Sequence, residues 1–290
     1  MNRLKGLGVA LVTPMHEDGS IDFVGLKNLL VHTQKGVDYW VVMGTTGENA
    51  TLSKDEKRSI LDFVLANNPK ELPVVWGWGG SNTKQLIEDI KTFDCSGIAA
   101  FLSVSPYYNK PSQEGIYQHY KALAQASPLP IILYNVPSRT GSNMTAETTL
   151  RLAQDPNIIG IKEASSDITQ CMDIAAGKPD GFLLISGDDV ATIPLMAMGG
   201  VGLISVLANA FAEEYSEIIT CAAKNDYPNA QKAAFKLQET FHLAFQEGNP
   251  AGIKEMLKNK GVCKPFVRLP LVEASENLKQ KIQVSMNNHK

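Results

Sequence analysis

The stretch Ile158-Ile159-Gly160-Ile161-Lys162-Glu163-Ala164-Ser165-Ser166-Asp167 decides how this chain is read. Ile158, Ile159 and Ile161 form a β-branched run of the kind that fills a strand covered on both faces. Lys162 stands where the apolar run stops and small polar residues begin. An amine held against an apolar wall loses solvation, which lowers its pKa toward the neutral, nucleophilic form. That is the chemistry of a lysine forming a Schiff base with a carbonyl compound. The same position also suits a lysine that simply reaches for water, so the surrounding chain has to decide.

Similar runs recur outward in both directions: Gly8–Val12, Tyr39–Met43, Val74–Trp76, Ile98–Val104, Ile131–Tyr134, Phe182–Ile185 and Val201–Val206. With Ile158–Ile161 they make eight, none alternating with polar residues, as expected of parallel strands buried on both faces. Amphipathic stretches lie between them. Ser53-Lys54-Asp55-Glu56 has the form of a capping box, and Ser112 and Thr145 open two further helices. Eight strand–helix units at a spacing of roughly 30 residues predict an α/β fold, the (β/α)8 TIM barrel. An open doubly wound sheet is the alternative, but Gly77-Trp78-Gly79-Gly80 does not continue into a dinucleotide-binding glycine pattern. Beyond Ala208 only helical periodicity remains, over Phe211–Lys224, Ala230–Glu247, Gly252–Asn259 and Ala274–Met286. Breaks are expected at Asn225–Asn229, Gly248–Pro250 and Lys264–Pro270. The expected organisation is a catalytic barrel over residues 1–224 and a small C-terminal helical appendage over residues 225–290.

Composition narrows the function. The 290 residues are 44% hydrophobic and 20% charged, with a formal net charge of −3. That balance is ordinary for a globular protein and gives no basis for binding nucleic acid or an anionic membrane. No apolar run is long enough to span a bilayer, and the opening residues lack the apolar core of a signal peptide. Cys95, Cys171, Cys221 and Cys263 are too scattered for a zinc or redox motif. His16, His32, His119, His242 and His289 show no ligand spacing, so no metal is expected. A cytoplasmic protein with reduced thiols is the expectation.

In a barrel, chemistry gathers at the C-terminal ends of the strands. The second run ends in Gly44-Thr45-Thr46-Gly47-Glu48, two hydroxyls between glycines. The fourth leads into Ser105-Pro106-Tyr107-Tyr108-Asn109-Lys110-Pro111. The fifth gives Tyr134-Asn135-Val136-Pro137-Ser138-Arg139-Thr140-Gly141, where Arg139 offers a fork suited to a carboxylate. The seventh ends in Ser186-Gly187-Asp188-Asp189, and the eighth passes through Ile204-Ser205.

Taken together and in this order, these motifs resemble the dihydrodipicolinate synthase family of Schiff-base aldolase barrels, from Gly6 to about Pro270. The resemblance implies an enzyme, a lyase that condenses pyruvate with L-aspartate 4-semialdehyde. Its product would be 4-hydroxy-tetrahydrodipicolinate, at the first committed step of lysine and diaminopimelate biosynthesis. It implies that Lys162 forms the imine and that Thr45, Tyr134 and Tyr108 form a proton relay, Tyr108 reaching in from a neighbouring subunit of a homotetramer. Thr46 would hold the pyruvate carboxylate, Arg139 that of the semialdehyde, and Gly187 and Ile204 would line the pyruvate end. No cofactor is implied, because the imine itself is the electron sink. Arg139 weighs against the related N-acetylneuraminate lyase and 2-keto-3-deoxy acid aldolase branches. A catalytically inactive barrel that senses a keto acid is the alternative of another class; the joint presence of Lys162, Tyr134, Thr45 and Tyr108 argues against it.

One group of positions departs from the family. Feedback-inhibited members bind lysine near helical histidines, a turn asparagine and a glutamate. Here the corresponding residues are Lys54, Lys57, Ser81 and Gln85, with Asn49 and Tyr107 completing the lining. A like charge about 6 Å from a lysine ligand costs on the order of 2–3 kcal/mol at an effective dielectric near 20. Trp78 adds bulk in the same turn. Insensitivity to lysine is the expectation.

Overall fold

The computed structural model describes residues 2–287. Eight strands, β1 (Gly6–Ala10), β2 (Tyr39–Val42), β3 (Val74–Gly77), β4 (Ile98–Val104), β5 (Ile131–Asn135), β6 (Ile158–Glu163), β7 (Leu183–Ser186) and β8 (Gly202–Ser205), close in sequence order into a parallel barrel. Every residue of β2, β5, β6, β7 and β8 is buried. This is the double-sided covering that the unbroken apolar runs require.

Helices follow the strands: α1 (Phe23–Thr33), α2 (Lys54–Ala66), α3 (Thr83–Thr92), α4 (Gln113–Ala126), α5 (Pro137–Thr140), α6 (Ala146–Leu152), α7 (Ile168–Gly177), α8 (Thr192–Ala197) and α9 (Ala212–Ala223). The C-terminal region adds α10 (Tyr227–Lys236), α11 (Gln238–Phe245), α12 (Ala251–Asn259) and α13 (Glu276–Asn287). Ser53 and Glu56 form the capping box at α2, and Ser112 and Thr145 cap α4 and α6 through Gly115 N and Thr148 N. Each such cap is worth about 1 kcal/mol. No described helix is long and apolar enough to cross a membrane.

Three local expectations are corrected. Strand β6 runs on through Lys162 and Glu163 instead of stopping at Ile161, because both residues continue the pairing with β5 and β7. The stretch from Ala230 to Glu247 is two helices, interrupted at Leu237, whose backbone (φ −98°, ψ 2°) leaves the helical region while its side chain stays buried. Helix α10 also begins earlier than expected, at Tyr227. Asp226 caps it and Pro228 sits in its first turn, where a missing N–H costs nothing.

The chain separates into two compact units. One comprises residues 2–5 and Pro73–Ile204, the other Gly6–Leu72 and residues 205–287. In the first, His119 on α4 is buried, its Nδ1 2.8 Å from Thr83 Oγ1 and its Nε2 without a partner. Burial pushes its pKa down to about 4. As pH falls below about 6.5 the unfolded chain takes up this proton before the folded one does. Stability is therefore complete above that pH and is lost progressively down to about pH 4, by on the order of 3 kcal/mol. Thermal midpoints measured between pH 4 and 7 should show this slope in the wild type. A His119→Gln variant should show it flattened.

Candidate active site

The catalytic-looking residues of the first unit are set by strand register. Tyr134 on β5 pairs with Lys162 on β6, which pairs in turn with Ile185 on β7. One residue further along, Asn135 pairs with Glu163 and Glu163 with Ser186. Successive strand residues face opposite ways. Glu163 turns toward α7, where Gln170 meets it, so Lys162 turns to the barrel interior. Lys162 is 5% exposed and Tyr134 7%, and the Lys162 Nζ lies 4.4 Å from the centroid of the Tyr134 ring. Among the described residues, no acid pairs with the Lys162 amino group and no acceptor takes the phenol proton. Both groups are available to a ligand.

Gly187 borders the same lysine. A Cβ at this position would stand 2.9 Å from Lys162 Cε, 3.1 Å from its Cγ and 2.6 Å from Ala164 Cβ. Only a glycine leaves the lysine side chain its course. Ile204 on β8 is fully buried. Arg139, on the one-turn helix α5 directly after β5, is exposed, and its guanidinium has no partner among the described residues. Tyr108 is 93% exposed and has a left-handed backbone (φ 72°). Tyr107 beside it is held through its backbone, its N–H and C=O both bonded to the Ser81 hydroxyl.

A polar cluster that sequence reading did not assign lies behind the Lys162–Tyr134 pair. The buried Glu163 carboxylate accepts from Asn135 Nδ2 (3.0 and 3.1 Å), Gln170 Nε2 (3.0 Å) and the Ser165 backbone N–H (2.7 Å). Asn143 bonds both Asn135 and Gln170. Burial raises the Glu163 pKa above its ordinary value, while these donors pull it back. The sequence signal was present, an acid directly after a candidate nucleophile. Its partners lie at separations of 28 and 7 residues, which no local pattern reveals.

In the second unit, Thr45 is half-buried and begins a short 3-10 turn, Thr45–Gly47, right after β2. Thr46 is buried, and its Oγ1 accepts from Asn249 Nδ2 at 3.0 Å. Glu48 follows with a left-handed backbone (φ 56°) that a non-glycine residue adopts only when something holds it. Lys254 does so from α12 with a fully buried ion pair of 2.5 Å, helped by the Arg268 backbone N–H at 3.0 Å. Lys254 also donates to Phe266 O. Burial presses the Lys254 pKa down and the Glu48 charge pushes it up. Arg268 itself grips Glu56, Gly19 O and Thr51 O. Asn249, Lys254 and Arg268 were invisible to sequence reading because they are about 200 residues from their partners.

The residues matched to a lysine-binding site fall in both units. Asn49 gives its amide to Met43 O. Lys54 is exposed on the first turn of α2; Lys57 is half-buried, its pKa lowered first by burial and then by the charge of Lys54. Gln85 is exposed and donates to Asp89. Trp78, directly after β3, is buried with its indole against Phe101, ring centroids 4.8 Å apart. Among the described residues no group of three His, Cys, Asp or Glu side chains could hold a metal ion.

A paired lysine and tyrosine on neighbouring strands of a parallel barrel, with a glycine cleared beside the lysine, can be compared with known proteins. The chain is 52% identical over 271 residues to a 4-hydroxy-tetrahydrodipicolinate synthase of Parabacteroides distasonis, covering 93% of this chain and 91% of that one. It is 48% identical over 286 residues to the enzyme of the same name from Flavobacterium psychrophilum, covering 98% of both. The crystal structure of a dihydrodipicolinate synthase from Thermotoga maritima superposes with a TM-score of 0.94 at 34% identity, over 98% of each chain. Residues 3–289 match the model of the dihydrodipicolinate synthetase family. By sequence and by fold, the chain belongs to that family.

Proposed function

We propose that this chain condenses pyruvate with L-aspartate 4-semialdehyde to give 4-hydroxy-tetrahydrodipicolinate, through a Schiff base on Lys162. The observation that carries the reading is the buried Lys162 amino group, without an ion-pair partner among the described residues and 4.4 Å from the Tyr134 ring, with Gly187 leaving room beside it. The Lys162 amine attacks the keto carbon of pyruvate and water leaves, giving a cationic imine. That charge lets the methyl group lose a proton to a base, forming an enamine. The enamine carbon attacks the aldehyde of the second substrate, whose oxygen takes up a proton. The semialdehyde amine then closes onto the imine carbon and expels Lys162, so the amine is regenerated and no organic cofactor is needed.

Tyr134 is the natural proton carrier, with Thr45 and Tyr108 completing a relay. The exposure of Tyr108 supports a reading in which it serves a second copy of the chain, within a homotetramer. Thr46 binds the pyruvate carboxylate and Ile204 lines that end. Arg139 takes the semialdehyde carboxylate, for which its free guanidinium is suited; this favours the synthase over the sugar-acid aldolases. Four free cysteines fit a cytoplasmic location.

Borohydride added with pyruvate should leave a single reduced adduct on Lys162, located by peptide mass spectrometry. Gly187→Ala should cut that trapping at least tenfold, since the new methyl occupies the path of the lysine side chain. An adduct on another lysine would defeat the reading. Arg139→Ala should raise KM for aspartate semialdehyde tenfold or more and KM for pyruvate less than threefold, as steady-state kinetics would show. Lysine at about 1 mM, a binding free energy near −4 kcal/mol, should leave at least half of the initial rate. Lys54, Lys57 and Gln85 offer an incoming ammonium two positive charges and no carboxylate.

A further inference from the structure

The contact between Thr46 and Asn249 has a direction. A threonine hydroxyl carries one proton and two lone pairs. Asn249 Nδ2 donates to Thr46 Oγ1, occupying a lone pair and leaving the proton uncommitted. No described residue accepts that proton, although Thr46 is 2% exposed. A buried hydroxyl with an unused proton is costly unless something else takes it. The amide is no better satisfied: Asn249 is 7% exposed and its Oδ1 has no partner. With the amide turned the other way, Oδ1 would consume the Thr46 proton.

Asn249 is itself fixed by what surrounds it. It precedes α12, and five residues on Lys254 enters the buried pair with Glu48, two residues after Thr46. One short C-terminal segment thus reaches the Thr45–Glu48 turn twice. One contact sets the backbone of Glu48, the other the hydroxyl of Thr46.

We infer that Asn249 is a positioning residue that orients the Thr46 hydroxyl as a hydrogen-bond donor to the carboxylate of the keto-acid substrate. This inference rests on the reading of Thr46 as the pyruvate-carboxylate ligand. An amide donor forces the hydroxyl to offer its proton outward, and a substrate carboxylate, which only accepts, is the group that needs it.

The decisive substitution is Asn249→Asp, close to isosteric but able only to accept when ionised. It would take the Thr46 proton and withdraw it from the substrate. The measurement is borohydride trapping of pyruvate on Lys162 as a function of pyruvate concentration, alongside kcat at saturation. The half-saturating concentration should rise tenfold or more, with kcat changed less than threefold. In a Thr46→Val background, which has no hydroxyl to orient, Asn249→Asp should add less than a twofold further loss. Unchanged half-saturation in Asn249→Asp would overturn the inference, and so would a full loss that persists in the Thr46→Val background, because charge or misfolding would then be the cause. If the aspartate variant fails to fold, Asn249→Ala removes the donor without adding charge. A three- to tenfold rise is then expected, and no rise overturns the inference. A wild-type chain that traps no pyruvate on Lys162 would sink the proposed reaction and this inference with it. A wild type that traps normally beside an indifferent Asn249→Asp would sink the inference alone.

Discussion

The constraint on which the first unit depends is the parallel register of β5 and β6, and the Asn135–Glu163 hydrogen bonds fix it at the place that matters. A slip of one residue would turn Lys162 out of the barrel and bring the Glu163 carboxylate in. Backbone pairing alone is nearly indifferent to such slips where Ile131, Ile132 and Leu133 lie against Ile158, Gly160 and Ile161. The buried Glu163 carboxylate is not. Its two bonds from Asn135 cross from β5 to β6 and exist in one register only, while those from Gln170 and the Ser165 N–H come from its own β6–α7 segment and fix the carboxylate there. A buried carboxylate stripped of its donors is strongly unfavourable, so the polar cluster selects the alignment that sets Lys162 over the Tyr134 ring.

The second unit solves a similar problem with a charge pair. The segment from Met43 to Glu48 bends sharply, with left-handed backbones at both of those residues. Such conformations persist only when their surroundings over-determine them. Lys254, Asn249 and the Arg268 backbone supply that determination from the C-terminal segment. The ion pair need not add net stability, since burying two charges offsets much of their attraction. What it contributes is a single geometry for the two threonines beside it. The C-terminal helices therefore bear on the proposed site through the turn that they hold.

Lys162, Tyr134, Arg139, Thr45 and Thr46 could be picked out in the sequence because each sits in or just after a short apolar run, where a barrel exposes its strand ends. The β-strands were legible because burial on both faces removes polar alternation and leaves unmistakable blocks. Errors clustered where local pattern and tertiary context diverge. Leu237 has an apolar side chain in good helical phase, yet its backbone breaks the helix.

The sequence by itself determined the eight-fold repeat, the chemistry available at the strand ends and the family resemblance. All three are written in runs of fewer than ten residues, in which periodicity and residue type act locally. Only the tertiary structure decided what holds those residues in place: Glu163 with Asn135 and Gln170, Glu48 with Lys254, Thr46 with Asn249. Those pairings join residues between 7 and 206 positions apart. Their energies come from burial and mutual hydrogen bonding, and neither exists until the chain has folded.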